Sequence, residues 1–292
     1  MSDLMSTIGN TPLVEIKSFH DNPNVKIYAK LEGNNPAGSV KDRAALNMIR
    51  AALERGDINK STKLIEATSG NTGIALAMIA SLYGLSLELV MPSTSTRERM
   101  LTMQAFGAKV TLLDTMEICR DYAEEKAETG EYYILNQFSN PDNYRAHIQT
   151  TGPEIWKGTD GKITHFVSAM GTTGTIMGCS IFLKEQNAQI QIVGCQPTED
   201  SSIPGIRRWP KEYLPKIYDD SRVDRVIDID QFDAVRRTRE LVRKEGVFAG
   251  MSTGGAFHAA LKVASEIQEG VIVFIVCDRG DRYLSSDLFA ES

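Results

Sequence analysis

The feature that most constrains the fold is an alternation of short β-rich runs with helical stretches along nearly the whole chain. The run at 271–276, Val-Ile-Val-Phe-Ile-Val, is apolar on both faces, as strands of a helix-covered parallel sheet are. The alternation predicts an α/β fold with mainly parallel sheets. Strands are predicted at 25–31, 64–68, 87–91, 109–113, 132–138, 164–168, 190–195, 225–229 and 271–277.

Length, composition and charge exclude several classes of protein. The 292 residues suit one large domain or two smaller ones, and an apolar fraction of 42% excludes a disordered chain. A net charge of −6 argues against a nucleic-acid partner, which usually needs a basic surface. The longest apolar run, 74–80, is too short to cross a membrane, and the first residues carry no secretory signal. We expect a cytoplasmic protein without nucleic-acid or membrane partners.

The four cysteines are widely spaced and do not cluster with the four histidines. A structural zinc site needs closely spaced ligand pairs, and a disulfide scaffold needs a denser set of cysteines. We therefore predict no metal site, and we expect mostly buried, reduced thiols.

Two loops rich in Gly and Thr indicate anion binding. The segments 68–73 (Thr-Ser-Gly-Asn-Thr-Gly) and 171–175 (Gly-Thr-Thr-Gly-Thr) each connect a predicted strand to a predicted helix. Free backbone N–H groups at a helix N-terminus stabilise phosphate or carboxylate. Neither segment matches the Walker A loop or the G-x-G-x-x-G dinucleotide motif. Such loops also occur as simple tight turns, so the spacing alone leaves both interpretations open.

A lysine in an unfavourable position is the third signal. Ser39 and Asp42 fit a capping-box-like helix start near Val40, which puts Lys41 in the first helical turn. The helix dipole opposes a positive charge there. Lys41 is either a solvated surface side chain or an amine whose lowered pKa prepares it for Schiff-base chemistry.

These segments together resemble a known family. Residues 34–43 (Asn-Asn-Pro-Ala-Gly-Ser-Val-Lys-Asp-Arg), 68–73 and 171–175 match, in order and separation, the cofactor-lysine motif, asparagine loop and phosphate cradle of fold-type II pyridoxal-phosphate enzymes. Within them the chain is most similar to the B-type O-acetylserine sulfhydrylases (cysteine synthases), which accept thiosulfate as well as sulfide. The resemblance covers essentially all 292 residues.

The resemblance implies an architecture like that of the tryptophan synthase β chain, with two interleaved, open, twisted sheets flanked by helices. A smaller mobile domain, 35–146, would carry the asparagine loop. A larger domain, 1–34 plus 147–292, would carry the phosphate cradle. The family also implies a homodimer.

Pyridoxal 5′-phosphate is the implied cofactor, and Lys41 the catalytic residue that carries it and then acts as general base. Asn71 would bond the 3′-oxygen of the pyridine, and Ser252 would face the pyridine nitrogen, with Thr253 as its competitor for that role. The cofactor-binding set implied by similarity is Lys41, Asn71, Gly171, Thr172, Thr173, Gly174, Thr175 and Ser252.

The implied reaction makes L-cysteine from O-acetyl-L-serine and sulfide, or S-sulfocysteine from thiosulfate, by way of an aminoacrylate. The arginine pair, in the loop 204–210, would attract the thiosulfate anion, and Cys277 would lie near the pyridine edge. The implied substrate-binding residues are Thr68, Ser69, Thr72, Gln137, Arg207 and Arg208.

Two alternatives remain at this point. One is another enzyme of the same fold, such as a serine/threonine dehydratase or a cystathionine β-synthase-type enzyme. The other is a non-catalytic module that binds a phosphate ligand with its two Gly/Thr loops.

Overall fold

A computed structural model describes residues 3–68 and 70–290. Within them the strands are β1 Leu13–Ile16, β2 Val25–Leu31, β3 Lys63–Ala67, β4 Ser86–Pro92, β5 Lys109–Leu113, β6 Tyr132–Tyr133, β7 His165–Ala169, β8 Gln191–Pro197, β9 Arg225–Ile229 and β10 Gly270–Val276. The helices are α1 Lys41–Arg55, α2 Asn71–Tyr83, α3 Arg97–Ala105, α4 Met116–Glu128, α5 Pro141–Ala146, α6 Gly152–Gly158, α7 Gly174–Gln186, α8 Gln231–Glu245 and α9 Met251–Glu266. No helix in these ranges is long and apolar enough to cross a membrane.

The larger sheet has six strands in the order β1-β2-β10-β7-β8-β9 and is parallel except for the antiparallel pair β1–β2. Its central strand β10 is buried on both faces, as predicted. Ile272 and Phe274 pack with α9, whereas Val273 and Ile275 pack in a separate cluster with α7. The α/β, mainly parallel prediction is confirmed; β1 was not predicted.

The smaller sheet has four parallel strands in the order β5-β4-β3-β6. Leu64 of β3 packs against α1 and α2, and Ile65 packs against α4 on the opposite face. The predicted strand 132–138 is wrong beyond Tyr133, because the chain leaves the sheet there to form a loop that reaches Gln137.

The two sheets draw their strands from different parts of the chain. The smaller sheet uses residues between 63 and 133, and the larger one uses residues before 31 and after 165. This membership agrees with the division into 35–146 and the remainder, although the boundaries themselves stay a prediction.

The start of α1 differs from the expected capping box. The Ser39 Oγ accepts from the Lys41 N–H at 3.2 Å and donates to the Asp42 Oδ1 at 3.4 Å, while the Asp42 Oδ2 accepts from the N–H of Ala37 at 2.6 Å. Asp42 therefore closes the tight turn before the helix. Burial raises the pKa of its carboxyl to about 7.

A buried ion network fixes α1 against the larger sheet. The Arg43 guanidinium bonds both oxygens of Glu32, after β2, at 2.7 and 2.8 Å, and both oxygens of Glu154, on α6, at the same two distances. Lys30 donates to Glu154 at 2.6 Å, and Thr11 donates to Glu32 at 2.6 Å. Every buried charge in the network has an opposite charge and further hydrogen-bond partners, which burial of ions requires.

We expect Arg43→Met to lower the free energy of unfolding by about 3–5 kcal/mol, because it leaves two carboxylates without their shared cation. Urea unfolding measures the loss. The matched control is Arg50→Met on the same helix, whose 3.8 Å pair with Glu54 is exposed and contributes at most about 1 kcal/mol. Equal losses in the two variants would contradict the structural role of the network.

Candidate active site

A cavity lies at the carboxyl ends of β7 and β10, where ligands bind in open α/β sheets. The N-terminal ends of α1, α2, α7 and α9 converge on it. It is lined by Val40, Lys41, Asn71, Ser168, Ala169, Gly171, Thr172, Thr173, Thr175, Gly205, Ser252, Ile275 and Cys277. The structure thus brings together the lysine, the asparagine loop, the 171–175 loop and Ser252, which are far apart in the sequence.

Lys41 is the first residue of α1, and its side chain lies in the cavity instead of on a solvated surface. Burial lowers the pKa of its amine, while the neighbouring Cys277 and Asp278 act in the opposite direction. A lowered pKa increases the fraction of neutral amine, the form that attacks a carbonyl or accepts a proton.

The 171–175 loop forms an anion-binding end of the cavity. Thr173 has a left-handed backbone with φ +70 and precedes the first residue of the 13-residue helix α7. Its buried hydroxyl has no hydrogen-bond partner among residues 3–68 and 70–290. An orphaned buried hydroxyl at a helix N-terminus fits a phosphate oxygen, because the helix dipole and free N–H groups favour negative charge at the same place.

Neighbouring side chains hold this loop in position. The Trp209 indole N–H donates to the Gly171 carbonyl at 2.7 Å. Gly174 has no space for a side chain, since a Cβ there would lie 2.0 Å from the Asn143 Oδ1. The Thr175 Oγ1 lies 3.3 Å from the His147 Nε2. Burial lowers the pKa of His147 well below its usual value, so this imidazole is neutral near pH 7.

Asn71 begins α2, and its side chain is held by two polar groups. Its Nδ2 donates to the Asp278 Oδ2 at 2.8 Å, and its Oδ1 accepts from the Arg282 guanidinium. Asp278, 1% exposed, also accepts from the Tyr283 hydroxyl at 2.6 Å. Asp278 was not among the site residues predicted from the sequence. An acidic residue two positions after the apolar strand β10 was the available signal.

The structure distinguishes Ser252 from Thr253. Ser252 lines the cavity beside Cys277, and its hydroxyl lowers the pKa of the Cys277 thiol. Thr253 is fully buried, and its Oγ1 accepts from the backbone N–H of Cys277 at 3.0 Å, so it supports the wall of the cavity from behind. Burial raises the pKa of Cys277 to about 11, so this sulfur is a thiol near pH 7.

The predicted carboxylate-binding residues lie beside one another where they can be described. The Thr72 Oγ1 donates to the Gln137 Oε1 at 2.7 Å, and both residues are buried. The Asn143 Nδ2 donates to the Gln137 carbonyl at 2.7 Å. Thr68 is buried immediately after β3. Ser69 lies outside the described residues.

The two adjacent arginines have different surroundings. Arg208 forms a 2.5 Å ion pair with Asp228 of β9 and donates to the Pro197 carbonyl at 2.8 Å. These contacts pair the Arg208 guanidinium within the protein, and its role at the site mouth stays a prediction. Arg207 is exposed, and its charge acts on Glu117 of α4. In the described part of the chain, no three His, Cys, Asp or Glu side chains form a metal-binding group.

Comparisons with known proteins show which proteins this chain resembles along its length. Residues 4–278 match the family described as "Pyridoxal-phosphate dependent enzyme". The "Cysteine synthase B" of Escherichia coli K12 is 57% identical over 294 residues, covering 100% of this chain and 97% of that protein. The Pseudomonas aeruginosa protein of the same name is 56% identical, with 97% and 95% covered. A solved cysteine synthase (OASS) from Entamoeba histolytica has a TM-score of 0.94 at 37% identity, with 100% and 91% covered.

Replacing Thr173 by Val removes the orphaned hydroxyl while keeping the side-chain shape. We expect the affinity of the apoprotein for pyridoxal phosphate to fall about tenfold or more, since a hydrogen bond to a charged group contributes about 1.5–3 kcal/mol. Absorbance titration with the cofactor measures this loss. The free energy of unfolding of the apoprotein should not fall, because the hydroxyl has no protein partner to lose.

Thr159→Val is the matched control. The Thr159 hydroxyl is buried, bonds the Ile155 carbonyl at 2.9 Å and lies at the end of α6 outside the cavity lining. This variant should lose about 1 kcal/mol of stability and keep its cofactor affinity. The opposite pattern in the two variants would contradict the assignment of Thr173 to the phosphate.

Proposed function

The chain belongs to the pyridoxal-phosphate dependent enzymes, and on this premise we propose that it is a cysteine synthase that makes L-cysteine and acetate from O-acetyl-L-serine and sulfide. The observation that carries the proposal is the position of Lys41: a buried amine with a lowered pKa shares one cavity with an anion-binding helix N-terminus. Full-length identity to cysteine synthase B relatives supports the choice of substrate.

Lys41, the loop 171–175, Ser252 and Asn71 are the residues that would hold the cofactor. Lys41 would carry it covalently, and Gly171, Thr172, Thr173, Gly174 and Thr175 would bind its phosphate. Ser252 would face the pyridine nitrogen, and Asn71 would bond the ring oxygen after releasing Asp278 or Arg282. When bound, the cofactor supplies the electron sink that stabilises negative charge at the substrate Cα.

Lys41 moves the proton in both halves of the reaction. Once the substrate has displaced Lys41 from the cofactor, the neutral Lys41 amine would take the proton from the substrate Cα, and the Cβ–O bond would break as acetate leaves with the electron pair. The sulfur nucleophile then forms a bond to Cβ, and the Lys41 ammonium returns the proton to Cα. Burial favours this amine as a base, because it disfavours the charged form.

Thr68, Ser69, Thr72 and Gln137 would bind the α-carboxylate of the substrate. The buried Thr72 hydroxyl now donates to the Gln137 Oε1 at 2.7 Å. A carboxylate would accept from this hydroxyl instead, and the Gln137 Nε2 would donate to it. A site built from buried polar groups discriminates strongly against ligands that lack the matching group.

Thiosulfate is proposed as a second sulfur donor, with S-sulfocysteine as its product. Arg207 is the cation proposed to attract it, because Arg208 is paired with Asp228. We also propose a homodimer in the cytoplasm, and mobility of the domain 35–146 relative to the rest of the chain.

The direct test is product analysis of the purified protein with O-acetylserine and sulfide. We expect cysteine and acetate in equal amounts, and Lys41→Ala should abolish both because no amine is left to take the Cα proton. Pyruvate as the main product, formed at an equal rate without sulfide, would favour a dehydratase. A wild-type protein that binds no pyridoxal phosphate would contradict the proposal altogether.

The sulfur-donor proposal is tested with the two arginines. Arg207→Ala should raise the KM for thiosulfate about threefold to fivefold, the scale of one exposed charge interaction, and leave the KM for sulfide unchanged. Arg208→Ala is the matched control and should leave both KM values unchanged, because its cation is bound elsewhere. If neither variant changes the KM for thiosulfate, the arginines of the loop 204–210 do not attract this anion to the site.

A further inference from the structure

We propose that Glu66 is a positioning residue for substrate binding: its buried carboxylate holds the backbone of the loop 135–137 and so presents Gln137 to the substrate. The inference rests on the proposed function, since it assumes that Gln137 binds the α-carboxylate of an amino-acid substrate. Glu66 lies on β3, two residues before Thr68, and takes no part in the cavity lining.

The contacts of Glu66 are unusual for a glutamate in a strand. Its side chain is 4% exposed, and its Oε2 accepts from the backbone N–H of Asn136 at 3.2 Å. The backbone N–H groups of Leu135 and Gln137 also lower the pKa of this carboxyl. An ionised carboxylate is acceptor-only and has room for several donors, so this side chain can hold the loop at Asn136 and still accept from its neighbours.

The loop needs such an acceptor because it leaves the sheet. β6 ends at Tyr133, and beyond it no β-strand partner is available to these N–H groups. Asn136 has a left-handed backbone with φ +53. Buried N–H groups without acceptors cost roughly 1–3 kcal/mol each. The carboxylate therefore stabilises a backbone conformation that the sheet does not maintain.

The same loop ends at the site. Gln137 is 5% exposed and accepts from the Thr72 hydroxyl at 2.7 Å. Its carbonyl accepts from the Asn143 side chain, which also lies 3.4 Å from the Thr172 hydroxyl. Glu66 thus sets the backbone from which Gln137 extends, while the 171–175 loop keeps its own contacts with Trp209 and His147.

The protonation of Glu66 agrees with this geometry. Burial raises its pKa to about 7, and the loop N–H groups and the charge of Arg120 on α4 lower it part of the way back. Assays at pH 8 therefore examine the ionised form that accepts from the loop.

The test is Glu66→Gln, which keeps the shape of the side chain but turns an NH2 group toward donors. At pH 8 we expect the KM for O-acetylserine to rise about tenfold, as expected when one binding group is displaced, with kcat reduced less than about threefold. The KM for sulfide and the visible absorbance of the bound cofactor should not change.

Glu88→Gln is the matched control. Glu88 lies on the adjacent strand β4, is 2% exposed, and bonds Lys109, Thr111 and Tyr132 instead of the loop. Its loss should lower stability without changing the KM for O-acetylserine. Adding Gln137→Ala to Glu66→Gln should raise the KM no further than Gln137→Ala alone, because Glu66 acts through Gln137.

Three results would overturn the inference: equal KM values in the two glutamate variants, a fall in kcat with unchanged KM in Glu66→Gln, or additive effects with Gln137→Ala. A wild-type protein without cysteine-forming activity would instead overturn the proposed function. Hydrogen exchange of the wild-type amides of 135–137 needs no variant, and fast exchange there would overturn the inference even if Glu66→Gln did not fold.

Discussion

The bonds of Arg43 to Glu32 and Glu154 determine where the reactive amine lies. Arg43 is two residues after Lys41 on α1, Glu32 follows a strand of the larger sheet, and Glu154 belongs to α6. Because the guanidinium is planar and bonds both carboxylates through paired contacts, it defines the direction as well as the distance of α1. The segment 8–13 completes the network, since the Asn10 N–H also donates to Glu154. Removing one charge would leave the others buried without compensation, which makes the arrangement all-or-none.

The cavity is suited to anions because of short-range interactions, although the chain as a whole has a net charge of −6. The cofactor phosphate, the substrate carboxylate and thiosulfate are all negatively charged. Helix N-termini supply partial positive charge without lysines or arginines, and the unpartnered Thr173 hydroxyl adds a directed donor. The buried Asp278, next to Lys41 and Asn71, adds a negative charge to the same region. A net-acidic surface is compatible with such a site, because these interactions act within a few ångströms.

Residues outside the cavity lining hold the residues that form it. Trp209 bonds the Gly171 carbonyl, Thr253 bonds the Cys277 N–H, and Glu66 bonds the loop that leads to Gln137. Each contact joins segments that are distant along the chain or lie on different elements. Buried N–H and C=O groups must be paired, so these polar side chains can lie only where they form hydrogen bonds with those groups. The loops of the site therefore have a defined conformation.

The sequence alone was sufficient to predict the α/β class, eight of the strands within two residues, and the segments that carry Lys41, Asn71 and Thr173. These features depend on local periodicity and on residues close together in the chain, and both can be recognised without a structure. Only the tertiary structure decided that β6 ends at Tyr133, that Arg208 turns to Asp228, and that Ser252 instead of Thr253 lines the cavity. The contacts of Glu66, Asp278 and the Arg43 network are also visible only in the folded structure. Their partners are separated by tens to hundreds of residues, and a charged or polar side chain gives no local sign of which distant group will neutralise it once both are buried.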